Sequence, residues 1–512
     1  MLLKFYHIAK RSIRTLLVPV LPIVLLSACS SDEAGDDLQP QESQAEQYIN
    51  LTITVSSGSQ QEGTRATPKG GEDGDGRELG LERESAVSGI TFILADGPLS
   101  DNTAKIALIK YYEVTEVTTG TYPTDAQHNH TDDQMERKYT TGNQPIRKDE
   151  LSLTEDKTYY IYVVANRRVA AEKGDDLRAI RDNTLRFNQL FIGDGYIPDG
   201  CRNFVMASDH DVTVNFTNRT DITLTETSNA AYYTLNNPIV VERLAARIDF
   251  CTAYAVNTGN TKNAAYDTYL VNVNGTSATI TGFKYETTPD NSGFFILETV
   301  IPFNLYNEKE YLFERVTSAW PKNATSTTYL GKETAENYVV DPRTDQKNNV
   351  TGCTYINGGS ISGLDYNWWR APQYLAIQAS KTTVINPNDN YVLAYCMENT
   401  LMPSSQLNYY ATGFAIIGSY YDKNGNFLIR RTFFDFLRHH DNGTTYTPRE
   451  ITNWNDYTGD NRTCASGIPM NFGIVRNNIY RVNIESVDSR GKISVRLAVH
   501  DWREVTHPQI YL

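Results

Sequence analysis

The residue pattern calls for a mainly β protein, built as two tandem β-sandwich domains with a short helical insertion in the first. Three observations carry this reading. Tyr is abundant, at 33 of 512 residues, beside many Thr, Asn and Val, a composition that suits pleated, half-buried surfaces. Apolar residues recur with a period of two in many short runs, whereas long 3.6-period stretches are scarce. Asn424-Gly425 stands between two apolar runs, which is a hairpin turn signal. At about 150 residues per domain, the length suits two to four domains. The net charge of −14 argues against a nucleic-acid partner, which would ask for a basic face.

Taken in order, the chain begins with an address. Lys4, Lys10, Arg11 and Arg14 form a positive region ahead of the apolar run Leu16–Leu26, which is too short and too Pro-interrupted to span a membrane. Leu26-Ser27-Ala28-Cys29 has the form of a bacterial lipobox, with the Cys29 thiol as lipid carrier; the alternative is an ordinary secretory signal with a chance cysteine. Two or more acyl chains on Cys29 would anchor the protein stably, where one would not. Residues 1–29 are therefore read as a signal peptide. From Ser30 to about Gln47 the polar, acidic composition reads as a tether.

The first strand, Tyr48–Val55, puts Ile49, Leu51, Ile53 and Val55 on one face and Asn50, Thr52 and Thr54 on the other. A polar stretch from Ser56 to Glu82 follows it. Within that stretch lies Gly63-Thr64-Arg65-Ala66-Thr67, a single Arg among small residues, the setting in which proteases cut. On composition alone an incidental Arg in a plain linker remains the alternative.

The first sandwich domain spans 66–242. Its strands are expected at Val87–Ala95, Lys105–Val114, Thr158–Asn166, Asn203–Met206, Val212–Phe216 and Ile222–Glu226. Asp175-Asp176 is expected to cap a short helix carrying Leu177, Ile180 and Leu185. His128 and His130 beside Asp132 and Asp133 suit a metal, but without a third ligand nearby they read as solvated loop.

The second domain, 243–512, opens with the long run Pro238–Phe250, which leaves the seam between 230 and 250. Strands are expected at Tyr269–Val273, Thr279–Tyr285, Phe294–Val300, Leu407–Tyr421, Phe427–Phe434 and Gly473–Ile484. Trp368-Trp369 suits either a sugar-binding groove or a core. Asp422 to Asn426 has the D-x-N-x-N opening of an EF-hand, but Phe427 replaces the required Gly and no Glu closes the loop. The hairpin reading wins. At the end, Ile493, Val495, Leu497 and Val499 alternate with polar or small residues, and Trp502, Val505, Pro508, Ile510 and Leu512 follow. A strand this apolar needs a groove to lie in.

Apart from Cys29, the cysteines are Cys201, Cys251, Cys353, Cys396 and Cys464, an odd number without a C-x-x-C spacing, so pairing stays open. No G-x-S-x-G, H-E-x-x-H or Gly-rich phosphate loop occurs. No catalytic residues, metal ligands or cofactor are expected, and the chain is read as a non-enzyme.

The lipobox with its trailing acids Ser30 to Glu33, the first strand followed by Arg65-Ala66, and the run E-R-x-x-A-R at Glu242–Arg247 belong together. With them go V-R-N-N-I-Y-R-V-N-I at Val475–Ile484 and the S-V-x-L-x-V-x-x-W strand ending at Trp502. Jointly they resemble the Bacteroidales fimbrillins, and are most similar to shaft subunits of the minor (short, Mfa-type) fimbriae. The likeness is strongest over about 26–66 and 473–512 and thin between. It implies transthyretin-like, Greek-key sandwiches and a lipidated (palmitate-bearing) precursor in the bacterial outer membrane. It further implies that an Arg-specific surface protease cuts between Arg65 and Ala66. The propeptide, 30–65 after lipidation, then leaves with Ile49, Leu51, Ile53 and Val55. A donor strand of another copy, about 499–512 with Val499, Trp502, Val505, Ile510 and Leu512, would fill the vacated groove by donor-strand exchange. Implied partners are further copies, anchor and tip subunits, and host or bacterial surface ligands bound during adhesion, colonisation and virulence. A tip or accessory adhesin is the alternative within the family. A surface glycan-binding lipoprotein using Trp368-Trp369 is the alternative outside it.

Overall fold

The computed structural model describes residues 46–55, 77–78, 81–117, 137–145, 156–193, 200–227, 230–251, 266–273, 275–288, 291–306, 309–318, 327–342, 354–356, 359–360, 377–378, 390–440, 444–452, 456–457, 459–488 and 491–502. All of them belong to one compact unit, Ala45–Leu512. The fold is mainly β, with only short helical turns such as Glu82–Ser85, Arg178–Arg181 and Leu407–Tyr410.

An 11-stranded sheet contains strands from residues 46 to 243. Its heart is Gly89–Ala95, flanked antiparallel by Ile106–Glu113 and Tyr159–Ala165. All seven residues of Gly89–Ala95 are buried, because both faces of the strand are covered. That explains why it reads as an unbroken apolar run rather than an alternating one.

Two further sheets come almost wholly from the later sequence. A six-stranded sheet runs in the order Arg77–Glu78, Ile493–Trp502, Asn478–Val487, Ala246–Cys251, Asn390–Cys396, with Thr444–Tyr446 added beside Ile493–Trp502. A seven-stranded sheet contains the meander Tyr266–Val273, Thr276–Thr288, Asn291–Phe303, Gly413–Asp422, Phe427–Phe436. Ile248, Phe250, Val482 and Val495 of one sheet share a core cluster with Phe283, Phe295, Tyr420 and Phe433 of the other, as in a sandwich. The same cluster continues to Phe92 and Tyr162 in the first sheet.

Most expected strands appear with shifted ends, and four strand runs and the helix differ from expectation. The run Pro238–Phe250 is two strands in different sheets, Ile239–Arg243 and Ala246–Cys251, with the turn at Leu244-Ala245 between them. The helix Arg178–Arg181 has no side-chain cap; Asp176 instead pairs with Lys105 and Arg178, and Leu185 lies in a short strand beyond the helix. Leu407–Tyr421 opens as a helical turn, and the strand starts only at Gly413. Asn203 adopts a left-handed φ of 52°, so that strand begins later, at Met206. Asn477 does the same at 57°, so Gly473–Asn477 is not strand and Asn478–Val487 is.

The hairpin at Asn424-Gly425 is as expected. Gly425 has φ 80°, a conformation that costs Gly nothing, and Gly413–Asp422 pairs antiparallel with Phe427–Phe436. The Asp422 carboxylate accepts N–H bonds from Asn424 and Asn426, each at 2.8 Å. Its oxygens hold the turn.

Candidate strand-exchange site

The strand Glu46–Val55 is paired along both edges. One edge runs antiparallel to Arg137–Pro145. The other runs parallel first to Ala230–Leu235, with Glu46 opposite Ala230, and then to Ile239–Arg243, with Val55 opposite Val241. Among the described residues, Arg137–Pro145 has ladders only to this strand and to Thr115–Glu116. Likewise Ala230–Leu235 pairs only with this strand and with Ile222–Glu226. Glu46–Val55 is therefore a joint between three groups of strands. Taking it out leaves a slot with two walls of unpaired N–H and C=O groups.

Ile49, Leu51, Ile53 and Val55 all lie in this ladder, opposite Gln144 or Tyr233, within the stretch, Tyr139 and Arg137 respectively, on the walls just described. Arg65, Ala66 and Cys29 lie outside the described residues, as do Trp368, Trp369, His128 and His130.

The strand Ile493–Trp502 pairs antiparallel with Asn478–Val487 along its length. Val499 is opposite Tyr480 and is buried, while Trp502 pairs through its backbone with Glu78. The home sheet thus holds the chain as far as Trp502. Val505, Ile510 and Leu512 lie outside the described residues.

The two charged motifs, far apart in sequence, are neighbours. Ala246–Cys251 runs parallel to Asn478–Val487, with Arg247 opposite Ile479 and Asp249 opposite Arg481. Among the described residues, Arg243, Arg247, Arg476 and Arg481 are the largest fully buried side chains. Buried charge survives only when it is paired and hydrogen-bonded. Arg247 donates to both oxygens of Asp249 at 2.9 and 2.8 Å and to Glu84 at 2.8 Å. Arg243 donates to Ser85 Oγ at 2.6 Å and to the Glu84 carbonyl at 3.1 Å. Tyr395 donates to the other Glu84 oxygen, and burial beside that carboxylate holds its phenol well above the ordinary range.

Arg476 bridges two carboxylates, Glu310 at 2.6 Å and Glu398 at 2.9 Å. The two acids respond differently. Burial, then the adjacent Glu398 charge, pushes Glu310 well up. Burial pushes Glu398 the same way, but the Arg476 charge and the hydrogen bonds with Glu310 and Arg476 together outweigh it, and the net direction is down. Together these contacts fix the base of the hairpin that carries Ile493–Trp502.

Sequence reasoning missed this network and also a cluster of Glu333, His439 and His440. For the network's Glu242–Arg243 end a signal was present. Val240, Val241, Leu244 and Ala245 put apolar residues at both parities around Glu242 and Arg243, which marks strands covered on both faces and so charges that must be buried. For the cluster no spacing gives a hint, because Glu333 is over a hundred residues from the adjacent histidines.

No family model matches the chain, and no curated protein matches it. Among solved structures, a C-terminally truncated form of the tip fimbrial protein Mfa3 from Porphyromonas gingivalis matches at 10% identity and a TM-score of 0.39. That match covers 89% of this chain and 100% of the other. A fimbrial assembly protein from Parabacteroides distasonis matches at 10% identity and a TM-score of 0.31, over 90% of this chain and 98% of its own.

Proposed function

We propose that the protein is a structural subunit of a surface fimbria, exported as a lipoprotein on Cys29, cut after Arg65 and polymerised by strand exchange. The observation that carries this is the position of Glu46–Val55, the joint on which two outlying groups of strands depend. An internal slot with two open edges recruits a replacement strand more demandingly than a single edge would. The replacement is residues 503–512 of another copy, which follow directly on the anchored strand ending at Trp502. The segment has ten residues, as does Glu46–Val55, so the two have similar reach at about 3.3 Å per residue. Ile510 and Leu512 share one face and supply its apolar contacts, with Val505 on the other face. On this reading residues 66–242 form the accepting domain and 243–512 the domain that presents the donor. The precursor sits in the outer membrane, and the mature subunit works in adhesion with anchor and tip subunits rather than in catalysis.

The experiment treats purified precursor with an Arg-specific protease, sequences the new N-terminus and looks for ladders on unboiled gels and fibres by electron microscopy. A new N-terminus at Ala66 together with ladders is expected. Cleavage elsewhere, or a cut product that stays monomeric, would sink the proposal. A chain lacking residues 503–512 should fold and accept a strand, yet fail to extend a fibre; undiminished extension would move the donor elsewhere.

A further inference from the structure

We propose that Glu333, His439 and His440 form a zinc site that staples two sheets together and rests on a third. Glu333 lies between the short strands Thr327–Tyr329 and Tyr338–Val339 of a three-stranded sheet. His439 and His440 follow Phe427–Phe436 of the seven-stranded sheet. Beneath them is Tyr480 of the six-stranded sheet, 2.8 Å from His439 Nδ1.

The donor set and its geometry suit zinc. Each ring aims Nε2 at a different oxygen of one carboxylate, His439 at 2.8 Å from Oε2 and His440 at 3.3 Å from Oε1. All the ligand atoms lie within 4.8 Å of one another. Zinc takes imidazole nitrogen and carboxylate oxygen at about 2.0–2.2 Å in a tetrahedron, which sets neighbouring donors about 3.3 Å apart. The His440 pair is already there, and the His439 pair need open only slightly. Two nitrogens and one oxygen favour zinc over calcium or magnesium, which prefer oxygen alone.

The surroundings supply the rest. Glu333 and His439 are 1% and 2% exposed, so the carboxylate is well out of water and gains from a cation. The Tyr480 hydroxyl also takes the Val475 N–H at 2.8 Å, which fixes its place. It can accept the His439 Nδ1–H and so leave Nε2 as the ligand, the outer contact that metal-bound histidines need. The His440 side chain keeps 20% exposure, which gives the ion a way in and leaves room for water as fourth ligand. The site lies against the strand that anchors Ile493–Trp502.

The test uses the full untagged chain, stripped with chelator and titrated with zinc sulfate by calorimetry, with elemental analysis after dialysis. One zinc per chain is expected, with a Kd below about 10 µM and a raised thermal midpoint. Glu333→Gln and His440→Asn should each weaken binding at least about 100-fold, and the double change His128→Asn/His130→Asn should not. His440→Asn sits at a part-exposed position, so its circular dichroism should match that of the stripped parent. Should that variant fail to fold, the visible spectrum of the cobalt derivative of the parent decides, through bands of a tetrahedral site with nitrogen ligands. No retained zinc and no midpoint shift would reduce the cluster to a histidine–carboxylate ion pair. Undiminished binding in both ligand variants would place the metal elsewhere. Either result overturns the proposal.

Discussion

Glu46–Val55 is held by backbone ladders to three partner strands, whereas Ala246–Cys251 and Asn478–Val487 are locked by named side chains around Arg247 and Arg476. The first kind of attachment is generic. Any strand of matching pattern offers the same N–H and C=O groups, so such a piece can be replaced. The second kind is specific. Its partners must be those acids and those guanidinium groups, so such a piece must stay. The contrast separates the part of the subunit proposed to be exchanged from the part that has to survive the exchange.

The sharpest way to break the contrast is at Arg476. Arg476→Met leaves Glu398 buried without its cation, and a loss of about 3–5 kcal/mol is expected, read from the urea midpoint of the uncut chain. A loss under about 1 kcal/mol, the usual worth of an exposed pair, would mean that the seam is no lock. Next comes Ile53→Pro in the joint. It removes a ladder N–H from a strand paired on both edges, so the uncut chain should lose about 3 kcal/mol or more. If the strand leaves as proposed, fibres assembled from cut subunits should not register the change.

A finer test sets the two acids beside Arg476 against each other. Glu398→Gln should cost about 3 kcal/mol, since it removes a buried anion. Glu310→Gln replaces an acid whose surroundings favour its neutral form and should cost less than about 1.5 kcal/mol. The signs with pH differ. Glu310 is raised, so its favourable contribution is full below its ordinary value of 4.5 and is lost as pH rises through the folded value. The advantage of the parent over Glu310→Gln should therefore shrink as pH rises above 4.5. Glu398 is lowered, so its contribution is present above the ordinary 4.5 and is lost as pH falls through the folded value.

The smallest effect belongs to His210, whose pKa is raised chiefly by its hydrogen bond with buried Asp209. Its contribution is full below the ordinary 6.5 and fades as pH rises through the folded value. His210→Asn should flatten the thermal midpoint against pH just above 6.5 and leave it unchanged at high pH. A midpoint profile identical to the parent's would remove His210 from the account.

The strand pattern was legible because alternation and turn chemistry are local. Ile493 to Val499 could be placed on one face from spacing alone, and Asn424-Gly425 closed its hairpin. The break at Leu244-Ala245 was not legible, since the apolar pattern runs straight through a change of sheet. Nor was the burial of Arg247 and Asp249. Alternation within Ala246–Cys251 puts them opposite Ile248 and Phe250, on what reads as the solvent face, yet both are fully buried. That face is covered by Glu84 and Tyr395, which lie 163 and 148 residues away in the chain (247 − 84 and 395 − 247). The cluster at Glu333 was hidden for the same reason: the partners meet only once three sheets are assembled.

The ladder directions around Glu46–Val55 have a consequence for growth. A guest that keeps both ladders must run parallel to Ala230–Val241 and antiparallel to Arg137–Pro145, so it fits in one orientation only. Its leading end lies by Ala230 and its trailing end by Val241. A filament built this way is polar, with two chemically different tips: one shows a vacant slot and the other an unused strand. A subunit that has lost either feature would then stop elongation at one tip and leave the other growing.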